Sequence, residues 1–345
     1  MIVALDMQLA LGTATGIGEY ARGLADALRE CGVGVVELDE PKLDPWRFDR
    51  RVVWDQFVLP RRARRSGASL LHCTAGTMPV RLPLPTVVTV HDVAWLRVQS
   101  HTRPYARFYF GKMALHRYPR ADAIAVDSEF SKRELLELAG VAPDRVHVVY
   151  PGVAQDFCSL RRRPSDERIV LVPGTVERRK NLEVLIRALP HLPGARIVSV
   201  GPFTAYRNEC LQLAQQTGVA ERIEFRGYVP RAELLDLYAA CTAVAVPSRY
   251  EGFGYAAAQA LCAGTPVVVS DRASLPEVAG ESAVIAAADE ERQWIDAIAR
   301  IMSDPGSANR HAEMQRDRSI ARFAWAAGAR KMIEVYSGVL GHSRS

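Results

Sequence analysis

The sequence predicts an α/β protein made of two doubly wound domains, and three observations carry that prediction. Short, β-branched apolar runs alternate with amphipathic stretches from end to end. The alternation breaks once, at the polar stretch Arg161-Arg162-Arg163-Pro164-Ser165-Asp166, and then restarts as a second cycle of similar size. The chain is 345 residues long, which at roughly 100–200 residues per domain is about two domains.

In the first cycle, residues 2–5, 33–38, 69–73, 86–91, 123–127 and 145–150 read as strands. They are short, continuous and β-branched, as strands buried on both faces of a parallel sheet read. Residues 17–30 and 131–139 between them read as amphipathic helices. In the second cycle, strands are expected at 168–173, 195–201, 222–227, 243–247, 265–270 and 282–287. Helices are expected at 182–189, 209–217, 231–240 and 256–263. Alternating strands and helices imply parallel sheets with right-handed crossovers. The expected division is 1–160, 161–325, and a last helix in 326–345 crossing back to the first domain. In open α/β sheets ligands bind beyond the carboxyl ends of the strands, so two such domains facing each other would enclose an interdomain cleft.

Composition excludes several classes. Apolar residues make up 48% and charged residues 24%, the balance of a globular protein. The longest apolar stretches, such as 85–90 and 266–269, fall far short of the about 20 residues of a spanning helix. The first residues lack the basic start and long apolar core of a secretory signal, so a cytoplasmic protein is expected. The six cysteines form no CxxC pair and read as small buried thiols. A net charge of +5 over this length is too weak to argue for nucleic acid, and none is expected as a partner.

Three segments have the makings of phosphate sites. Thr15-Gly16-Ile17-Gly18-Glu19-Tyr20 follows the first strand and opens a helix, where glycines let backbone N–H groups approach an anion. Gly174-Thr175-Val176-Glu177-Arg178-Arg179-Lys180-Asn181 lies at the same place in the second cycle. Its three consecutive cations precede a helix whose amino end is itself positive, a conflict that an anion would relieve. Lys180 is one of only five lysines against 39 arginines. Pro247-Ser248-Arg249-Tyr250-Glu251-Gly252-Phe253-Gly254-Tyr255 joins a strand to a helix. There Glu251 is placed either to cap that helix or to accept hydrogen bonds from a polyhydroxyl ligand, and Gln259 follows eight residues later. The spacings Ser131-x-x-Glu134 and Ser274-x-x-Glu277 fit capping boxes; capping is the expected role of Glu134, and that of Glu277 stays open.

Glu251-Gly252-Phe253-Gly254, with Ala263-Gly264-Thr265-Pro266-Val267-Val268, resembles the signature of retaining glycosyltransferase family 4 (glycosyl transferases group 1), which has the GT-B fold. Further matches are Gly16-Ile17-Gly18, His91-Asp92, Asp127-Ser128-Glu129-Phe130-Ser131, Tyr150-Pro151-Gly152-Val153, Phe225-Arg226-Gly227-Tyr228-Val229 and Ser274-Leu275-Pro276-Glu277-Val278. The resemblance implies a hexosyltransferase that uses a nucleotide-diphosphate sugar, retains anomeric configuration and needs neither metal nor other cofactor. Lys180 matches the residue that grips the donor phosphates. Thr175 stands where many members carry arginine, as in a mannosyltransferase-like subgroup, which points to GDP-mannose with UDP-sugars left as the alternative donors, and Arg179 is the second cation. Glu251 matches the carboxylate that contacts the donor sugar, and Gln259 replaces the carboxylate that binds the ribose. His91 matches a histidine facing the reaction centre, Gly16 a glycine at the diphosphate, and Tyr228 and Val229 the segment flanking the nucleobase. Catalytic roles are thus expected for His91, Glu251 and Lys180. Donor contacts are expected from Gly16, Gly18, Thr175, Arg179, Lys180, Tyr228, Val229, Glu251, Gly252, Phe253, Gly254 and Gln259.

The chemistry follows from these roles. Breaking the glycosyl bond builds negative charge on the leaving diphosphate, which preorganised cations and N–H groups stabilise. No DxD sequence holds a metal, and no carboxylate pair suggests the two-carboxylate chemistry of retaining hydrolases. The resemblance implies a front-face reaction in which the departing phosphate takes the acceptor proton. The acceptor is a glycan, a lipid-linked sugar or a small molecule. The basic Arg61-Arg62-Ala63-Arg64-Arg65 and the basic, aromatic segment 103–120 suit an anionic membrane surface; the competing reading is a solvated helix with its aromatics buried. Contact of the N-terminal domain with the inner face of the membrane is therefore one expectation. Two other functions compete: a catalytically silent nucleotide-sugar-binding subunit of a glycan assembly complex, which Gln259 favours, and a sugar-nucleotide 2-epimerase.

Overall fold

A computed structural model describes residues 1–12, 16–98 and 104–342; Thr15 and Arg103, which open two of the segments above, lie outside them. The chain divides into two units, Met1–Gly152 with Ala324–Ser345, and Val153–Phe323.

The first unit is a six-stranded sheet of β1 (Ile2–Asp6), β2 (Gly34–Leu38), β3 (Leu70–Cys73), β4 (Thr86–Val90), β5 (Ala123–Val126) and β6 (Val146–Val148). The order is β2-β1-β3-β4-β5-β6, and each pairing is parallel. Apolar strands follow from burial on both faces. Val3 and Leu5 pack with Tyr20, Leu24 and Leu28 of the helix Gly16–Glu30, whereas Ala4 packs with Trp54, Leu59 and Leu135. The helix Trp325–His342 covers the first of these faces through Met332, Val335 and Tyr336. Each such side chain contributes about 1.5–3 kcal/mol by burial. Trp325 lies so close to Gly23 and Gly152 that a Cβ on either would sit 2.2 Å from its ring.

The second unit repeats the plan with β7 (Arg168–Pro173), β8 (Ala195–Val200), β9 (Ile223–Gly227), β10 (Ala243–Val246), β11 (Val267–Ser270) and β12 (Val284–Ala286), ordered β12-β11-β10-β7-β8-β9 and parallel throughout. Val170, Ile197, Ala245 and Val268 share a core with Leu185, Ile186 and Trp294.

Several local expectations change. The helical run 48–65 has no counterpart among the predicted helices; Pro60 reads as a breaker but sits in the first turn of Leu59–Arg65, where proline is tolerated. The helix Glu129–Ala139 begins earlier than expected, and its cap is Ser128, whose side chain accepts from the Ser131 N–H. Glu134 therefore lies inside the helix, paired with Arg97 at 2.9 Å, and does not close a capping box. Of the cysteines, Cys31 is exposed and the other five are buried; all are free thiols. Among the described residues no helix is long and apolar enough to cross a membrane.

Candidate functional site

In the second sheet the chain order reverses between β7 and β10, which are neighbours. The loops leaving their carboxyl ends carry the candidate residues, at the place where open α/β sheets bind ligands. After β7 the chain makes one tight turn, Arg178–Lys180, and enters the helix Leu182–Ala188 through Asn181 in the left-handed conformation, φ 54°. Asparagine is among the few residues that accept this conformation readily. Its buried Nδ2 donates to the carbonyls of Ala288 at 2.8 Å and Pro247 at 3.2 Å. The Arg249 N–H donates to the Arg179 carbonyl at 2.7 Å. These bonds hold the two loops together.

Across this junction Glu251 collects donors. Lys180 Nζ donates to Oε1, Ser248 Oγ donates to Oε1 at 2.7 Å, and Arg179 donates to Oε2 at 3.2 Å. Burial of Glu251 would raise its pKa, but the charges of Lys180 and Arg179 prevail and hold it at about 2. The carboxylate is therefore ionised at neutral pH. The anion that the basic run requires is thus part of the chain. Lys180 pairs with Glu251, Arg179 with Glu251 and with Glu177 at 2.8 Å, and Arg178 with Glu209. An anionic ligand here joins an existing network and shares its donors.

Glu251 does not cap the following helix. The helix Tyr255–Cys262 starts from Gly254, which has φ 94° and makes no side-chain cap. A Cβ on Gly254 would lie 2.7 Å from Leu275 Cδ2, so glycine is required twice over. Ser274 is not a side-chain cap either; its Oγ bridges the carbonyls of Glu251 and Phe253, each at 2.9 Å, and fixes the loop that carries the glutamate. Gly252 and Phe253 are buried in that loop. Gln259 lies two turns on, and its Oε1 accepts from Tyr238 OH at 3.2 Å, so the amide oxygen already has a partner. Thr175 is half-buried beside the cluster. At the end of β9, Tyr228 is 62% exposed while Val229 is buried. Phe203 is exposed nearby, its ring 3.3 Å from where a Gly227 Cβ would sit.

In the first unit His91 follows β4. Its Nε2 lies 2.9 Å from the Thr74 carbonyl and its Nδ1 2.6 Å from Asp127 Oδ2. A carbonyl only accepts, so Nε2 carries a proton, and a second proton is shared between Nδ1 and the Asp127 carboxylate. Burial opposes charge on His91, yet Asp127 raises its pKa overall; burial likewise raises that of Asp127. Tyr20 packs edge-on against the imidazole, with centroids 4.8 Å apart. Gly16 is exposed, with open space where a Cβ would be, whereas a Cβ on Gly18 would lie 2.7 Å from the Leu9 carbonyl. Close packing against Leu9 therefore requires glycine at position 18.

Sequence reasoning missed Ser248, Ser274 and Asn181 as builders of the cluster, Phe203 as the exposed ring beside Gly227, and Thr74 and Asp127 as partners of His91. Asp127 stood in a quoted motif without a role. Ser248, three residues before Glu251, was the one legible hint for its own contact. Among the described residues, no group of three or more His, Cys, Asp or Glu side chains is placed to hold a metal ion.

Two doubly wound units of six parallel strands, with charged loops beyond the strand ends, define the GT-B fold class. Residues 160–318 match the model of glycosyl transferases group 1, and residues 14–157 that of Glycosyltransferase Family 4. Each unit of the chain thus matches a model of this glycosyltransferase family. It is 35% identical over 239 residues to a D-inositol 3-phosphate glycosyltransferase of Xylanimonas cellulosilytica, a match covering 63% of this chain and 57% of that protein. The chain thus spans little more than half the length of this curated relative. Among solved structures it is similar to sucrose-phosphate synthase from Thermosynechococcus elongatus, with TM-score 0.78 and 22% identity, covering 99% of both chains. It is also similar to Anabaena HepE in complex with UDP-glucose, with TM-score 0.75 and 17% identity, covering 98% of this chain and 100% of that one.

Proposed function

We propose that the protein transfers a hexose from a nucleoside-diphosphate sugar to an acceptor hydroxyl, with retention of configuration and without a metal. The observation that carries this reading is the ionised Glu251 at the β7–β10 switch point, held by Lys180, Arg179 and Ser248. A fixed carboxylate accepts sugar hydroxyls, and the cations beside it meet a diphosphate. Each preorganised donor to the leaving diphosphate contributes about 3 kcal/mol to the transition state, by analogy with oxyanion holes. Gly254 opens the helix that follows, adding its positive end to the same charge. Phe203 and Tyr228 offer exposed aromatic surface for the nucleobase. His91, held by Asp127, and the exposed Gly16 are assigned to the acceptor and the diphosphate from the first unit. The departing phosphate oxygen takes the acceptor proton, so no further base is needed.

The donor is a GDP- or UDP-hexose. Thr175 favours GDP-mannose, whereas the named relatives include a UDP-glucose complex and D-inositol 3-phosphate glycosyltransferases. A second reading, a silent sugar-nucleotide-binding subunit, draws on Gln259, whose oxygen is engaged by Tyr238. Thermal unfolding with a panel of GDP-, UDP- and ADP-sugars tests the proposal. One nucleotide class should stabilise the protein by about 2.7 kcal/mol at a hundredfold excess over Kd, and Lys180→Ala should cut this to about 0.4–1.4 kcal/mol at the same concentration. No stabilisation by any of them contradicts it.

A further inference from the structure

Glycosyl transfer leaves unexplained a surface of the first unit formed by the helical run 48–65 and residues 104–120. Phe57 and Phe108 are 53% and 54% exposed, Trp46 55% and Tyr105 44%. These are not core residues that failed to pack, because the inward positions are filled. Trp54, Leu59 and Tyr109 are buried. Tyr109 OH donates to Asp55 Oδ2 and Gln56 Nε2 donates to Tyr109 OH, both at 2.9 Å. The Phe48 ring lies 4.6 Å from that of Tyr105 and joins the two segments. The sequence left two alternatives for residues 103–120, and the structure divides the aromatics between them: Tyr109 turns inward, Tyr105 and Phe108 outward.

The exposed positions form stripes. Arg50, Val53, Phe57, Arg61 and Arg64 recur every three or four residues, as do Tyr105, Phe108, Lys112 and His116, so each set lies along one side of its helical run. Residues 56–65 and 104–120 contain no aspartate or glutamate. Arg61 lies 5.9 Å over the Phe57 ring, which places cation and aromatic side by side. The surface also reaches the His91 loop, since the Trp95 ring is 5.3 Å from that of Phe110 and its carbonyl accepts from Arg107 Nε at 3.0 Å.

We propose that this surface docks the first unit on an anionic lipid bilayer. The Phe57 and Phe108 side chains enter the headgroup boundary, and the exposed Arg61, Arg64 and Arg65 meet lipid phosphates, whereas Arg50 and Arg62 already pair with Asp49 and Glu40. Phenylalanine gains more from leaving water than from a polar partner, which favours a bilayer over a nucleic acid. Docking stands apart from the glycosyl-transfer reading; only its consequence, that the acceptor is a lipid-borne hydroxyl delivered near His91, rests on it.

The test is co-sedimentation of the whole protein with vesicles of phosphatidylcholine alone and with added phosphatidylglycerol. Binding is expected only to the anionic vesicles and should weaken with salt. Arg64→Gln and Arg65→Gln should each reduce it about fivefold. Phe57→Ser with Phe108→Ser should remove the binding that survives high salt. These variants should keep the parent Tm and the parent response to nucleotide sugars, so a failure of docking is read separately from a failure of donor binding. Equal binding to both vesicle types, full binding by the double phenylalanine variant, or binding to single-stranded RNA but to neither vesicle would overturn the proposal.

Discussion

Replacing Glu251 by glutamine removes one charge from the centre of the cluster and little else. The shift of its carboxyl from 4.5 to about 2 corresponds to on the order of 3 kcal/mol in favour of the charged form. Glutamine keeps part of the hydrogen bonding, so a loss of about 2–3 kcal/mol in stability of the second unit is expected at pH 7. The folded pKa lies below the unfolded value, so this stabilisation is complete above about 4.5 and is lost as pH falls towards 2. Urea titrations of parent and Glu251→Gln should therefore differ by a constant amount at neutral pH and converge in acid. The ligand consequence runs the other way. Without its carboxylate, Lys180 and Arg179 are released to a diphosphate, so calorimetry should show nucleoside diphosphate bound at least as tightly as by the parent. Turnover of the nucleotide sugar should fall roughly ten- to a hundredfold, the value of a charge-assisted hydrogen bond to the sugar. Equal stability at pH 7, or nucleotide affinity reduced as far as in Lys180→Ala, would refute this account of the cluster.

Lys180→Ala should weaken nucleoside diphosphate binding about ten- to a hundredfold, measured by calorimetry. Gly254→Ala forces a Cβ against Leu275 at φ 94° and should cost at least about 1–2 kcal/mol, read as a lower Tm. Because Asp127 raises the pKa of His91, the imidazolium stabilises the first unit below about pH 6.5 and ceases to as pH rises through the raised value. Asp127→Asn should bring the His91 NMR titration to lower pH; an unmoved titration would contradict the shared proton. Tyr336→Phe leaves buried His72 Nδ1 without the hydroxyl that lies 2.6 Å away, and should destabilise by about 1–3 kcal/mol in thermal unfolding.

Both sheets were legible because parallel strands buried on two faces are largely apolar, as Ala123–Val126 and Ala243–Val246 are throughout. Local capping was harder to read. Ser131 and Glu134 have the right spacing, but the helix starts at Glu129, and a shift of three residues turns a capping pair into two mid-helix positions. The candidate site was legible as residues and not as contacts. Lys180 and Glu251 are 71 residues apart and meet because β7 and β10 are neighbours, which is a property of sheet order. The pairing of Arg178, Arg179 and Lys180 with Glu209, Glu177 and Glu251 could not be read from the run itself, because each partner but Glu177 lies far along the chain. The outward turn of Phe57 and Phe108 could not be read either, because apolar residues at helical spacing ordinarily mark a core.

The central claim, that the cluster around Lys180 and Glu251 cleaves a nucleotide sugar without a metal, is tested most directly by nucleotide release. Purified protein is incubated with each nucleotide sugar in excess EDTA, and freed nucleoside diphosphate is followed by ³¹P NMR. The account predicts slow release from one donor class by the parent and none by Lys180→Ala; no release from any donor, or undiminished release by the variant, would contradict it.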